Sequence, residues 1–318
     1  NNFDWREDSS AFTFEYNQRG HQAYKVIEIN ALNGNVSVLI NETCRTFIDY
    51  SSKKYRYDVA DGKELIWTSE RDGHNHLYLY DGETGKVKKQ LTRGDWVVRK
   101  VIHVDEKNRE VYFVASGLDK DQDPYFQHYC KVDFNGKNFT RFTTENGNHE
   151  LTFSDDYQYY VDQYSRVDAP PVTVLKEAKS QKVKMIMQEA DHSKLVAQGW
   201  RAPEVFTAKG RDGLTDIWGI IIRPSTFNPK KVYPVVEYIY AGPHSSFVPK
   251  NFSAIHRSMN AMAELGFIVV QIDGMGTSNR SKAFHDVAWK NLKDGGFPDR
   301  KLWIKAAAKK YPYINANK

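Results

Sequence analysis

The stretch LYLYDGETGKVKKQL, residues 77–91, reads as a strand, a glycine-containing turn and a second strand, which is the pattern of a β-hairpin. The pattern recurs. VIEINALNGNVSVL (26–39) and CKVDFNGKNFTRF (130–142) have the same layout, and the turn glycines Gly34, Gly85 and Gly136 follow one another at intervals of 51 residues. Ahead of the three hairpins lie further aromatic or β-branched runs, AFTFEY (11–16), LIWTS (65–69) and VYFVAS (111–116), and a fourth copy begins at YQYYVDQYS (157–165). A period near 50 residues with several strands per unit marks propeller blades. One small sheet cannot bury both of its faces, so neighbouring sheets have to stack. The expectation is a partial β-propeller of about three to four blades of four-stranded antiparallel sheet, short of a large closed ring. A single β-sandwich with coincidental spacing is the competing fold.

Past a charged segment at 176–200, read as a linker, the pattern changes. DIWGIIIRP (216–224) and YPVVEYIY (233–240) read as strands. FIVVQID (267–273) is a near-continuous apolar run of the kind buried on both faces of a parallel sheet. Ile255, Met259, Met262 and Ala263 fall on one helical face, with Gly266 as the stop. PDRKLWIKAAAKKYP (298–312) reads as a second helix. Pro298 suits its first turn, Asp299 its positive end, and Lys309 and Lys310 its negative end. Leu302, Ala306, Trp303 and Ala307 are expected to form its inner face. The order is thus strand, strand, helix, strand, helix, and the parallel strand that should follow is not apparent before Lys318. The expected division is a propeller part over 1–190 and an α/β part over 191–318.

Composition excludes some functions. The net charge of +5 comes from scattered lysines, and the denser runs KVKK (86–89) and KEAKSQKVK (176–184) carry no interleaved aromatics. They read as solvated surface rather than a nucleic-acid footprint. Two distant cysteines, Cys44 and Cys130, form neither a disulfide framework nor a metal pattern. No apolar run reaches the length of a membrane span. The sequons at Asn35, Asn41, Asn138 and Asn251 are too common by chance to prove secretion. Without an initiator Met or signal peptide, the chain is expected to be part of a longer one.

Open α/β sheets bind and react at the C-terminal ends of their strands. Two such ends stand out, Tyr240-Ala241-Gly242-Pro243 and Asp273-Gly274-Met275-Gly276-Thr277. Here the chain resembles the prolyl oligopeptidase family of serine peptidases, and most of all its dipeptidyl-peptidase-IV branch. YAGP is similar to that branch's loop after the third hydrolase strand, and DGMGTS to its segment after the next strand. VDQYSRVDAPPV (161–172), YFVASG, FSDDYQYYV and IIIRPSTFNPKKVYPVV follow in the family's order, so the resemblance covers essentially all 318 residues.

The resemblance implies a propeller followed by the N-terminal part of an α/β-hydrolase domain. It also implies a serine exopeptidase that releases N-terminal dipeptides after proline or alanine, with peptide as the partner and neither cofactor nor metal. It favours a periplasmic or extracellular location and allows a homodimer of the whole protein. The family's nucleophile elbow, G-x-S-x-G, is absent, and the triad belongs beyond Lys318. The glutamates that grip the substrate's amino terminus belong before Asn1, so Glu15, Glu28 and Glu70 are not recruited in their place. The chain alone is therefore expected to be inactive.

One catalytic element carries over by resemblance: Tyr240, whose hydroxyl would serve the oxyanion hole. Spacing alone favours a packed amphipathic ring at a sheet edge; the resemblance reverses that preference. Pro243 is a candidate wall of the substrate entrance. His74-x-His76 lacks a third ligand and reads as an exposed loop; His244 and His285 are not nominated. Gly274 and Gly276 read as close-turn glycines rather than a dinucleotide motif. DYSSKKYRY (49–57) reads as a solvated loop. A non-catalytic propeller–hydrolase binding module, or another peptidase or esterase of the hydrolase class, remains the alternative. The residue at the centre of the elbow would discriminate them.

Overall fold

A computed structural model describes residues 2–256, 258–293 and 295–316. The chain begins with four four-stranded antiparallel sheets, each a simple meander. Blade one comprises β1 (Asp4–Trp5), β2 (Ala11–Asn17), β3 (Ala23–Asn30) and β4 (Val36–Thr43). Blade two comprises β5 (Arg56–Val59), β6 (Glu64–Ser69), β7 (His76–Asp81) and β8 (Val87–Gln90). Blade three comprises β9 (Val97–Asp105), β10 (Glu110–Ser116), β11 (His128–Asp133) and β12 (Thr140–Arg141). Blade four comprises β13 (Asn148–Phe153), β14 (Tyr159–Arg166), β15 (Ala169–Glu177) and β16 (Val183–Glu189).

The 51-residue spacing has a local cause. In each of the first three blades an Asn or Asp closes the third strand and folds its side chain onto the turn. Asp81 accepts from the amides of Glu83 and Thr84 at 3.2 and 2.8 Å. Asp133 does so from Asn135 and Lys137, and Asn30 from Leu32 and Asn33. Such side-chain turns fix the hairpin. The following glycine takes φ of +74°, +65° and +67° at Gly34, Gly85 and Gly136, a region an L side chain enters at a cost.

There is also a contact reason. A Cβ on Gly85 would stand 2.8 Å from the Val38 carbonyl oxygen, and one on Gly136 would stand 2.9 Å from that of Gln90. The turns of blades two and three are thus pressed against the last strand of the preceding blade. Blade two, with neighbours on both sides, buries every residue of β6. Blade one instead alternates buried and half-buried along β2, with Phe3 and Trp5 exposed beside Phe12 and Phe14.

The rest of the chain runs α1 (Ser193–Ala197), β17 (Glu204–Lys209), β18 (Asp216–Ile222), β19 (Tyr233–Glu237), α2 (Met259–Glu264), β20 (Ile268–Asp273), α3 (Lys282–Asp286), α4 (Phe297–Lys310) and β21 (Ile314–Asn315). Five strands form one sheet in the order β17-β18-β20-β19-β21. β17, β18 and β20 pair antiparallel, and β20, β19 and β21 pair parallel. This is the start of a hydrolase sheet. Met259 and Ala263 of α2 pack on Ile220, Ile222 and Val269. Trp303 of α4 lies against Gly219 and donates its indole N–H to the Phe206 carbonyl at 3.1 Å. Since Gly219 and Ile220 point to opposite faces of a strand, the two helices cover opposite sides of the sheet.

Five readings are corrected. The segment 176–200 is not simply a linker, because β16 completes blade four within it. β17 was not anticipated. The parallel strand expected after the last helix does begin, as β21, before Lys318. The helix around Met259 spans six residues, leaving Ile255 outside it and exposed, and Leu302 of α4 is exposed as well. Trp303 and Ala307 do face inward.

The chain divides into two compact units, Asn1–Leu118 with Tyr129–Arg141 and Arg280–Trp289, and Asp119–His128 with Phe142–Asn279 and Lys290–Lys318. The second combines blade four with the five-stranded sheet.

Candidate active site

Tyr240 lies three residues beyond the end of β19, in the loop where the backbone leaves the sheet. Its side chain is 53% exposed, and among the described residues its hydroxyl has no hydrogen-bond partner. The ring is nonetheless held. Phe247 meets it edge-on at 4.7 Å between centroids, His244 does the same at 5.7 Å, and those two rings touch each other at 5.2 Å. A ring braced on two sides with a free polar tip is positioned to donate to something outside the fold.

The loop is anchored from the neighbouring strand end. Asp273 closes β20 and is fully buried. Its carboxylate accepts the amides of Phe247 and Val248 at 2.8 and 3.0 Å. Burial pushes its pKa up, while Lys250 and those two amides pull the other way. Asn279 donates to the Ser246 hydroxyl at 2.8 Å, and the Ser278 amide to the Ser245 carbonyl at 3.1 Å. Thus YAGP and DGMGTS, 33 residues apart, form one braced unit. Gly274 serves close approach there, since a Cβ would come within 2.8 Å of the Gly296 carbonyl.

Beneath them, buried Asp299 accepts the Met275 amide at 2.9 Å and a forked contact from Arg211. Its first-turn position in α4 therefore serves tertiary contacts as well as the helix end. Arg300 pairs with Glu237, the last residue of β19. A cleft of about 870 Å³ opens from Tyr240, with His244, Phe247, Phe252, His256 and Met259 among its walls. Pro243 is half-buried in the same loop; beside Tyr240 the wall is made by His244 and Phe247.

The other residues singled out in the sequence have internal partners. Glu15 accepts from Tyr24 and Lys54, Glu28 pairs with Arg6, and Glu70 with Lys53. His76 is not in an exposed loop: it is fully buried, bonded to the Thr92 hydroxyl and the Gly94 carbonyl. His285 is buried 3.1 Å from the Lys53 ammonium and edge-on to Phe47. Nor is 49–57 a solvated loop throughout, because Asp49 and Lys53 are buried. Glu145, His149 and Asp162 have spacing suited to a cation, but the Lys176 ammonium already sits 2.6 Å from Glu145 and 3.3 Å from Asp162.

Comparison with known proteins bears on the family and the fold. Residues 1–171 match the model of the dipeptidyl peptidase IV N-terminal region, and residues 253–318 match that of the prolyl oligopeptidase family. The chain belongs to the prolyl oligopeptidase family, in its dipeptidyl peptidase IV branch.

Relatives within this family include the "Probable dipeptidyl-aminopeptidase B" of Talaromyces marneffei, 31% identical over 249 residues, which are 77% of this chain and 27% of that protein. Human dipeptidyl peptidase 8 is 27% identical over 80% of this chain and 32% of its own length. A crystal structure of a "putative dipeptidyl aminopeptidase IV" from Bacteroides ovatus superposes with a TM-score of 0.80 at 27% identity, covering 99% of this chain and 46% of that one. The chain thus spans about a third or less of the curated relatives' length.

Within this family frame, sequence reading reached Tyr240 but not the residues that hold it. Asp273 was visible as a lone acid ending an apolar strand, a signal in itself, yet its partners lie 25 and 26 residues away. For His244 and Phe247 the spacing after YAGP carried no signal.

Proposed function

We propose that this chain contributes its propeller blades and the first part of a hydrolase domain, divided near residues 190 and 191, to a serine exopeptidase. That enzyme releases N-terminal dipeptides with proline or alanine in the penultimate position. Its serine attacks the scissile carbonyl, an acyl-enzyme forms as the peptide amine leaves, and water hydrolyses the ester. The serine and its aspartate and histidine come from the remainder of the whole protein.

The observation that carries the reading is Tyr240, whose hydroxyl has no hydrogen-bond partner among the described residues and whose ring is braced at a strand's C-terminal end. Negative charge develops on the carbonyl oxygen during acyl transfer, and a donor held in place beforehand stabilises it without reorganising. The names of the relatives support the dipeptidyl part of the proposal.

The test is Tyr240→Phe in the whole enzyme. The ring contacts survive and only the donor is lost, so kcat on an X-Pro chromogenic substrate should fall about 10²–10³-fold with little change in KM. An unchanged kcat would return Tyr240 to a packing role.

A further inference from the structure

We infer that Arg300 is a positioning residue for the nucleophile turn of the whole enzyme, its Nε and Nη2 donating to main-chain carbonyls of the turn in which the strand begun by β21 ends. The inference rests on the proposed function, in which the serine follows this strand.

Arg300 lies early in α4 and is only 1% exposed. Its Nη1 donates to Glu237, but Nε and Nη2 are buried without a hydrogen-bond partner among the described residues. Buried donors are nearly always paired, and leaving part of a charged group bare is costly. Charge is not what these donors lack. Glu237 is in contact, and buried Asp273 also feels the guanidinium: burial raises the Asp273 pKa, while Arg300 is among the groups that lower it. The two missing partners are therefore neutral acceptors. The side chain is closely seated, since a Cβ on Gly296 would stand 3.3 Å from Nε, and Gly274 is packed in turn on the Gly296 carbonyl.

Sheet order says which segment brings those acceptors. On one side of β19 lies β20, and the residues at its end, Gly274 and Met275, give Nε and Nη2 no bond. On the other side lies β21, against which α4 also packs. It pairs parallel with β19 through Tyr233 with Ile314 and Pro234 with Asn315. Continued, that register carries the chain past Val235 and Val236 and out of the sheet beside Glu237, the residue that holds Arg300. In hydrolase folds the nucleophile stands on a sharp strand-to-helix turn. Such a turn takes carbonyls out of the sheet ladder, and buried carbonyls need other donors. Tyr240 stands three residues past Glu237 on the adjacent strand end. Arg300 thus links the serine turn to the strand that carries the oxyanion donor, fixing one relative to the other.

The test uses the whole enzyme. In its crystal structure, Nε and Nη2 of Arg300 should each lie within about 3.2 Å of a carbonyl in the turn that follows the β21 strand. Bonds to water alone, or to any other segment, would overturn the assignment. Arg300→Lys ends in a single nitrogen, so it keeps the charge opposite Glu237 and loses both free donors. Per serine titrated with a fluorophosphonate, its kcat on an X-Pro substrate should fall about 10- to 100-fold with KM nearly unchanged. An unchanged kcat per titrated serine in a folded variant would reduce Arg300 to a packing role. If the variant does not fold, the wild-type contacts decide. A whole enzyme that cleaves X-Pro substrates but lacks these contacts defeats this inference alone. One that has the contacts but does not cleave them defeats the proposed substrate, and slower fluorophosphonate labelling of Arg300→Lys still reads the positioning.

Discussion

Asp273 illustrates how much of the candidate site depends on a single side chain outside the loop that carries Tyr240. It is the only described group that accepts the Phe247 and Val248 amides, and Phe247 braces the Tyr240 ring. Asp273→Ala should destabilise the chain by about 2–4 kcal/mol, since two amides lose their partner in a buried setting; urea unfolding measures this. A second residue-scale prediction concerns His76. Burial disfavours its charged form and lowers its pKa from 6.5. Unfolded chains therefore bind a proton that the folded chain refuses, and stability is lost as pH falls through about 6.5. Wild type should lose more thermal stability between pH 7 and pH 5 than His76→Gln, read from melting curves at each pH. At this scale the sequence was informative where chemistry is local. Tyr240 stands beside its own glycine and proline. The buried state of His76 depends on Thr92 and Gly94, which spacing does not connect to it.

At the scale of elements, the hairpin turns were the most legible part of the chain because their acid, amide and glycine lie within a few residues. Contacts between repeats separate the three glycines. Gly85 and Gly136 face carbonyls of the preceding blade, whereas a Cβ on Gly34 would meet nothing within 4 Å. All three substitutions to Ala incur the left-handed backbone cost, about 1 kcal/mol. Gly85→Ala and Gly136→Ala add a clash of about 1–3 kcal/mol, so both should unfold at lower urea than Gly34→Ala. Equal midpoints would show that the backbone conformation alone matters. The elements that sequence missed share one property, which is that partners rather than local pattern define them. β21 is two residues long and exists by pairing with Tyr233 and Pro234, some 80 positions earlier. β16 lacks alternation because all seven of its residues are exposed, so no buried face imposes a period of two. β17 is set by its register with β18.

For the whole molecule, the co-linear order of motifs makes both parts readable in the sequence, and the family comparisons support that order over residues 1–171 and 253–318. Surface behaviour was less evident. Val183, Met185, Ile186 and Met187 are each about half exposed along β16, the outer strand of blade four. An apolar edge strand with unpaired backbone invites pairing with another chain. Ile186→Lys should reduce self-association of the 318-residue chain as its concentration rises, followed by light scattering; unchanged scattering would remove the strand as the cause.

The bare surroundings of Gly34 carry a different consequence. Gly85 and Gly136 stand nearest to main-chain atoms of the preceding blade, and every strand presents those whatever its side chains. The turn's share of the joint is therefore nearly independent of sequence, whereas Leu39 and Ile40 clustered with Leu65 and Trp67 make the rest of it specific. Divergence between copies is constrained at the side chains packed between blades, and least constrained at the residues that face each turn glycine. The turn can thus seat on any preceding strand, and the side-chain packing beside it decides which blade follows which.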